Sequence, residues 1–439
     1  MDVTDALAEP VSVGAPTADE VDAWLRHRSL GGERLRLRVP SLRGDPGSIT
    51  VAITIGDPVQ VPVDACQVLE LTFAWGAASD GGVVTSADAG TGTLRLVDPD
   101  RIYDPTVAEG VRIGSVIRIS LGGVPAFRGR VDDISHDLEI ATFALTDGVA
   151  ELAAVQFVET TVPAETTSAR ITRILDLANW PADRRDIGTG GVALQAGTVS
   201  ADAWTELLEV TRNELGALWL TADGRVAWRN RSTAWAGGDP ALVFGCPPSD
   251  AFLGSLSMRA DQSNLVNVLS AARRGGTQAT VSDSTSLARY GRHSHVQNDL
   301  ELVNDGDRDL WASFYLTRQS SPALGVADLS TRPDAPTLVR ILALSLGAIV
   351  RVYDEHHGPV IDRRARWIGA RWTVAPSYVE VVGTTGEDAS IRRVDRSLVL
   401  DLGTEFAPYQ TATTNVATRE PGLQLAYVPR RPPGVTTGA

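Results

Sequence analysis

The feature that most limits the fold is a period of two. Between Leu35 and Leu145, apolar and polar residues alternate in short runs: Leu35-Arg36-Leu37-Arg38-Val39, Thr50 to Ile55, Val68 to Trp75 and Thr93 to Val97. Successive side chains of a strand point to opposite faces, so such runs suit half-buried strands and not helices. Turn residues separate them at Arg43-Gly44-Asp45-Pro46-Gly47, Gly76 to Gly92 and Asp98-Pro99-Asp100. Three further strands follow, Val116 to Leu121, Ala126 to Ile134 and Glu139 to Leu145, the first two joined at Gly122-Gly123. Consecutive antiparallel strands of this kind form a meander that closes a barrel or sandwich.

The period then becomes helical. Asp147 opens a segment through Ala150, Leu152 and Val155. Ile171, Ile174, Leu175 and Ala178 form a stripe at i, i+3, i+4, i+7, with Ser168 as the expected N-cap and Pro181 as the stop. Another helix is predicted from Ser200, with Asp202 in its first turn, where the macrodipole favours an acid. It carries Trp204, Leu207, Leu208 and Leu215 and ends at Gly216. Leu218 to Trp228 reads as a hairpin, Asp223-Gly224 supplying the positive φ values of a tight turn.

From Phe252 the strand pattern returns. It covers Leu253 to Arg259, Asn264 to Ala272, Gln278 to Ser282, Ile349 to Tyr353, Arg366 to Val374, Tyr378 to Val382 and Ile391 to Leu400. One helix interrupts it near Asp307 to Arg318. The expected class is mainly β with a small α+β insert. The expected division is an N-terminal segment 1–30 with a short helix over Asp19 to His27, a β-rich domain 31–155, an α+β domain 156–250, a second β-rich domain 251–405, and a Pro-, Thr- and Gly-rich tail 406–439. Trp180, Trp204, Trp219, Trp228 and Trp235 are expected to pack the core of the α+β domain.

Charge narrows the function. There are 54 acidic and 40 basic side chains, a net charge of −14, and every basic residue is arginine. The absence of lysine fits a GC-rich genome, because both lysine codons are AT-rich. An acidic balance argues against sequence-specific nucleic-acid binding, which needs basic stripes. Two cysteines, Cys66 and Cys246, cannot staple a small scaffold and are expected to be free and buried. No stretch approaches the ~20 apolar residues of a membrane span, and Met1 is followed by Asp2, Asp5 and Glu9 where a signal peptide is basic and then apolar.

No catalytic, cofactor-binding or metal residue is assigned. The chain has no GxSxG, P-loop, Rossmann fingerprint or HExxH. His293-Ser294-His295 puts two imidazoles on one side of a strand; two ligands make a poor metal site unless a three-fold axis gathers six, and a solvated loop is the simpler reading. Asp354-Glu355-His356-His357-Gly358-Pro359 resembles a metal cluster in composition, but adjacent side chains on a strand diverge and Gly-Pro marks a turn, so it reads as a charged hairpin tip. Glu206 and Glu209 share a helix face, whereas a glycosidase needs carboxylates across a cleft. Arg43-Gly44-Asp45 is an adhesion-like tripeptide that Asp45-Pro46-Gly47 explains as a turn.

Several segments together are familiar. Thr91 to Pro105, a strand leading through Asp98-Pro99-Asp100 to Tyr103-Asp104-Pro105, resembles a segment of the minor tail proteins of long-tailed bacteriophages. Val111 to Ile119, Val124 to Ile134 and Phe143 to Leu152 continue the likeness, Phe127-Arg128-Gly129-Arg130 being its most specific piece. Ile171 to Pro181, Arg184 to Ile187, the Ser200 helix and the Trp219–Trp228 hairpin follow in the same order, so the resemblance spans roughly residues 35–400. It departs from the family around Val97-Asp98, where an Asn-type residue is usual, and over 284–300.

The resemblance implies a non-enzymatic structural virion protein without cofactor, the central hub of a tail tip or baseplate. Such a hub is a homotrimeric ring that caps the tail tube and surrounds the DNA exit channel. Two β-barrel-like, tail-tube-like domains would flank the helix-containing middle. Expected partners are distal tail or tail-tube proteins, the tape-measure protein, and tail-tip or fibre proteins. The expected location is the virion, after assembly in the host cytoplasm. If part of the acidic charge lines the channel, it repels phosphates and keeps DNA from adhering. The alternatives are a glycan-binding tail module using the tryptophan-rich middle, and a hub carrying a cell-wall hydrolase.

Overall fold

The computed structural model describes residues 51–387, apart from 56–60, 64–66, 77–84, 105, 107–110, 246–248, 356–359 and 376–377. The expected Asp19–His27 helix, the Leu35–Val39 and Ile391–Leu400 strands, the Arg43-Gly44-Asp45 turn, the tail and both cysteines lie outside the described residues.

The first block of chain holds β1 (Val51–Ile55), β2 (Val61–Val63), β3 (Val68–Gly76), β4 (Thr85–Ser86), β5 (Asp88–Val97), β6 (Val116–Leu121), β7 (Val124–Asp137) and β8 (Ile140–Asp147). The middle holds the helices α1 (Gly148–Ala153), α2 (Thr167–Leu177), α3 (Ala203–Glu214) and α4 (Arg231–Ala234). Short strands lie among them: β9 (Thr160–Val162), β10 (Glu165–Thr166), β11 (Arg185–Ile187), β12 (Ala193–Leu194), β13 (Gly197–Val199), β14 (Ala217–Leu220) and β15 (Val226–Arg229). The last block holds β16 (Leu242–Gly245), β17 (Ala251–Phe252), β18 (Ser255–Asp261), β19 (Val268–Arg273), β20 (Ala279–Ser282), β21 (Ser294–Leu300), β22 (Ala323–Thr331), β23 (Ile349–Asp354), β24 (Ile361–Ala375) and β25 (Tyr378–Glu387). Its helices are α5 (Ser284–Tyr290), α6 (Asp305–Gln319) and α7 (Ala335–Leu342). The protein is mainly β with a helical insert, as the alternation implied.

Fourteen strands form one sheet. Seven come from the first block, in the order β3-β5-β8-β7-β6-β1-β2, and seven from the last, in the order β17-β16-β23-β24-β25-β22-β18. One strand splices them. β24 pairs with β25 from Ala365 to Ala375; on its other side it pairs with β23 through Arg366 and with β3 from Gly369 to Val374. The pairing with β25 shifts between Trp367 and Gly369, so β24 changes partner beside an irregularity that bends the strand.

The alternation read from the sequence is the alternation of burial. In β8, Ala141, Phe143, Leu145 and Asp147 are buried while the residues between them are half-buried. Phe73 stacks on Trp372 with centroids 5.7 Å apart, and Phe244 on Trp367 at 5.8 Å, so aromatic side chains of both blocks share one core. Gly383 faces Trp367 so closely that a Cβ would fall within the indole ring.

A second core belongs to the middle. It combines Ile171, Ile174 and Leu175 of α2, Trp204 and Leu207 of α3 and Trp228 of β15 with Leu269, Leu300 and Trp311 from further along the chain. Side chains between Val266 and Leu316 thus share the apolar core of the helical insert, whereas β16 belongs to the large sheet.

Local details correct several expectations. The N-cap of α2 is Thr166, whose hydroxyl accepts from Ala169 N–H, and not Ser168. Asp202 is the N-cap of α3 and not a first-turn residue, and Leu215, at φ +56, closes that helix ahead of Gly216. The β14–β15 connection gives positive φ to Gly224 but not to Asp223. Its closing pair is Thr221 and Arg225, which leaves three residues in the loop where a two-residue turn was expected. The last block holds α5 and α7 besides the one expected helix; their N-caps Asp283 and Asp334, and Pro336 in the first turn of α7, were available signals.

Candidate functional site

The motifs that carried the resemblance turn out to be joints. The turn after β5 is built on Asp98, which is fully buried. Its carboxylate accepts from Ile102 N–H and Tyr103 N–H at 2.8 Å each and lies 3.2 Å from His136 Nε2 on β7. Tyr103 meets Phe143 edge-on at 5.7 Å. Hydrogen bonds from the Thr106 hydroxyl and N–H hold the Asp104 carboxyl down to about 2. Two buried carboxylates therefore fix this loop by backbone hydrogen bonds, and neither is presented to a cleft.

Phe127-Arg128-Gly129-Arg130 joins the sheet to the insert. Phe127 packs on Phe73 in the large core, 5.7 Å between centroids. The Arg128 stem lies against Gly224 of the β14–β15 connection, leaving no room there for a Cβ. Arg130 donates to Gly114 O at 2.8 Å and pairs with Glu151 of α1 at 3.0 Å. Arg184 reaches the same carboxylate at 3.8 Å, donates to Gly224 O at 3.1 Å and lies 3.9 Å above the Trp180 ring. Asp147 at the end of β8 caps α1 by accepting from Val149 N–H at 2.9 Å; burial pushes its carboxyl up to about 7 against those backbone donors.

Within the insert, Arg170 of α2 is 2% exposed and holds four partners: Glu165 at 2.8 Å, Glu301 at 3.3 Å, Pro163 O at 2.8 Å and Gln195 O at 3.0 Å. Arg274 binds the other Glu301 oxygen at 3.2 Å, which draws β19 and β21 into the same network. Glu214 at the end of α3 accepts from Thr167 at 2.8 Å, and its burial raises its pKa. A third joint stacks Arg318 of α6 and Arg366 of β24 on Trp235, 4.4 and 5.3 Å from the ring centre. Arg366 also donates to Ala234 O, Ala236 O and Gly347 O at 3.0–3.1 Å. Beside it lies a cleft of about 430 Å³ bordered by Trp75, Trp219, Asp186 and Arg229. The Asp186–Arg229 pair at its rim closes at 2.7 Å.

The residues weighed for chemistry are not assembled. His293 Nε2 lies 3.2 Å from Tyr290 O, while the His295 ring stacks on Tyr315 at 5.7 Å. Glu206 turns back to accept from Ser200 and Ala201 N–H, both at 2.8 Å, and Glu209 pairs with Arg212. Glu206 therefore secures the start of α3. Asp354 is buried at the end of β23, and 356–359 lie outside the described residues. Among the described residues no group of three or more His, Cys, Asp or Glu could hold a metal ion, and no helix is long and apolar enough to cross a membrane. Of the five tryptophans placed in the insert's core, Trp180, Trp204 and Trp228 pack there; Trp219 is buried in a separate small cluster with Ala87 and Leu346, and Trp235 is half-buried in the arginine stack.

No protein-family model and no curated protein matches this sequence. Solved structures do match. A tail protein of Neisseria meningitidis superposes with a TM-score of 0.55 at 12% identity, over 77% of this chain and 96% of that one. The 43 kDa tail protein of prophage MuSo2 from Shewanella oneidensis gives 0.55 at 14% identity, over 78% and 99%. Prophage tail protein gp18 of Listeria monocytogenes gives 0.50 at 11%, over 80% and 100%. The fold is that of phage tail proteins. Arg170, Arg366 and the Asp98 turn hold this tail-protein fold together, and hydrophobic periodicity could not reveal them because it assigns charged residues to the surface.

Proposed function

We propose that the protein is a structural component of a phage tail, acting as the homotrimeric hub of the tail tip. In this reading it belongs to the virion, forms a ring that caps the tail tube, and leaves a central passage for DNA. The observation that carries the reading is the extent of the likeness: nearly the whole length of three tail proteins lies on this chain. The joints support it. A protein that bears load between neighbours needs its layers locked, and here the buried Arg366 of β24 donates to Ala234 O of α4 while Arg130 of β7 pairs with Glu151 of α1. The protein is not an enzyme in this reading, takes no cofactor, and meets distal tail, tail-tube, tape-measure and fibre proteins.

Gold labelling of an epitope tag on tails, together with the solution mass and electron micrographs of the purified protein, tests this. A tail-tip label and a ring of three chains are expected. A monomer absent from tails overturns the proposal. Release of soluble sugar or peptide from host cell wall, or saturable binding to cell-wall glycan, would favour the enzymatic or glycan-binding alternatives.

A further inference from the structure

One end of the large sheet carries apolar side chains where folding does not ask for them. β7 and β8 are joined through Leu138 and Glu139, with Asp137 opposite Ile140. Leu138 has φ +51 and is 87% exposed. The first central position of a two-residue turn with positive φ is ordinarily glycine, because a side chain there crowds its own backbone. Leucine therefore adds strain and exposes an apolar side chain without any packing in return. Ile102, 51% exposed, stands on the neighbouring loop. The two loops are held together: Asp98 N–H donates to Glu139 O at 2.6 Å, and the Asp98 carboxylate takes both the Ile102 N–H and His136.

Carboxylates flank this end. Asp100, Asp132, Asp133, Asp137 and Glu139 are exposed, and none has a salt bridge among the described residues. Some other surface carboxylates meet arginine, as in Glu70–Arg95, Asp223–Arg225 and Asp362–Arg351, while others, Glu159 and Asp299 among them, are exposed without such a pair among the described residues. Arg101, on the same loop as Ile102, is engaged by Asp104. An apolar tip flanked by unneutralised carboxylates complements an apolar cleft rimmed by cations, whereas it repels nucleic acid and anionic lipid.

We propose that this end, led by Leu138 and Ile102, docks into an apolar cleft rimmed by arginine or lysine on a different protein. The inference rests on the structural reading above only in expecting a lasting protein neighbour.

The test places a photo-crosslinking residue, p-benzoylphenylalanine, at position 138 of the full-length protein in the cells that make it, with position 158 as control, since Val158 is 85% exposed but lies away from this end. One heterologous product is expected at 138, through a contact peptide of net positive charge, with a yield at least tenfold above that at 158. Reversing the flank with Asp137→Arg and Glu139→Arg should lower the yield about tenfold. A contact peptide that is neutral or acidic, equal yields at both positions, or a product made of two copies of this chain overturns the proposal. Separately, Leu138→Gly should melt at or above the wild-type temperature; a lower melting temperature would mean that the leucine serves the fold, and would overturn it too. Labelling of tails is read independently, so a protein absent from tails but crosslinked through 138 to a basic partner would remove the hub and leave the docking site.

Discussion

Removing Arg170 isolates the worth of a single buried cation. The Arg170→Ala chain loses four hydrogen bonds. Glu165 keeps Arg173, which binds both its oxygens at 2.9–3.1 Å, and Glu301 keeps Arg274. No carboxylate is therefore stranded, and the full penalty of an unpaired buried charge does not apply. What remains is two carbonyls, Pro163 O and Gln195 O, each losing a charge-assisted donor at about 1–3 kcal/mol, plus the space left by the side chain. The expected loss is about 3–5 kcal/mol. It should be local, because Arg170 touches only the second core. Native-state hydrogen exchange is the suitable assay: amides of α2, β12 and β19 should exchange about 10²- to 10⁴-fold faster, while those of β24 keep their protection. An unchanged rate in α2, or equal acceleration in β24, would refute the reasoning. Arg170→Lys should recover less than half of the loss, since one ammonium cannot span carbonyls and carboxylates set on three sides.

Gly383→Ala drives a methyl group into the fully buried Trp367 ring and should cost at least about 3 kcal/mol in urea unfolding, with altered near-ultraviolet dichroism. Asp147 titrates near 7 in the folded chain and near 3.8 when unfolded, so its contribution is fully present below about pH 4 and is lost as pH rises through about 7. The difference between wild-type and Asp147→Asn unfolding midpoints should change across that window and be flat outside it. Trp235→Leu removes the ring shared by Arg318 and Arg366 and should lower the unfolding midpoint by an amount worth about 1–3 kcal/mol, with faster protease cleavage near residues 235–240.

How much was legible follows from what each element depends on. The 116–145 meander, the Ile171–Leu175 stripe and the Trp204–Leu207 helix are set by neighbours in sequence, and periodicity found them. α7 was missed although Leu338, Ile341 and Leu342 carry a helical stripe, because the surrounding apolar run reads equally well as strand. The change of partner along β24 depends on strands far away in sequence and leaves no local mark. The buried arginines were passed over for the opposite reason: their local signal says surface, and only carbonyls contributed by distant loops make burial tolerable. The candidate metal and carboxylate clusters dissolved because neighbouring residues, His293 and His295 or Glu206 and Glu209, turn toward different partners.

The splice at β24 also sets an order of events during synthesis. β3 finds its outer neighbour when residues 369–374 arrive, nearly three hundred residues after its own. At about 5–20 residues per second, a ribosome leaves that strand edge uncovered for roughly 15–60 s. Through that interval the nascent first block shows open backbone donors and acceptors to every copy emerging nearby. The side chains of β3, which carry one charge, that of Glu70, do little to ward off such pairing. A slow ribosome, or a stop codon ahead of residue 361, would therefore leave chains that aggregate through a half-finished sheet.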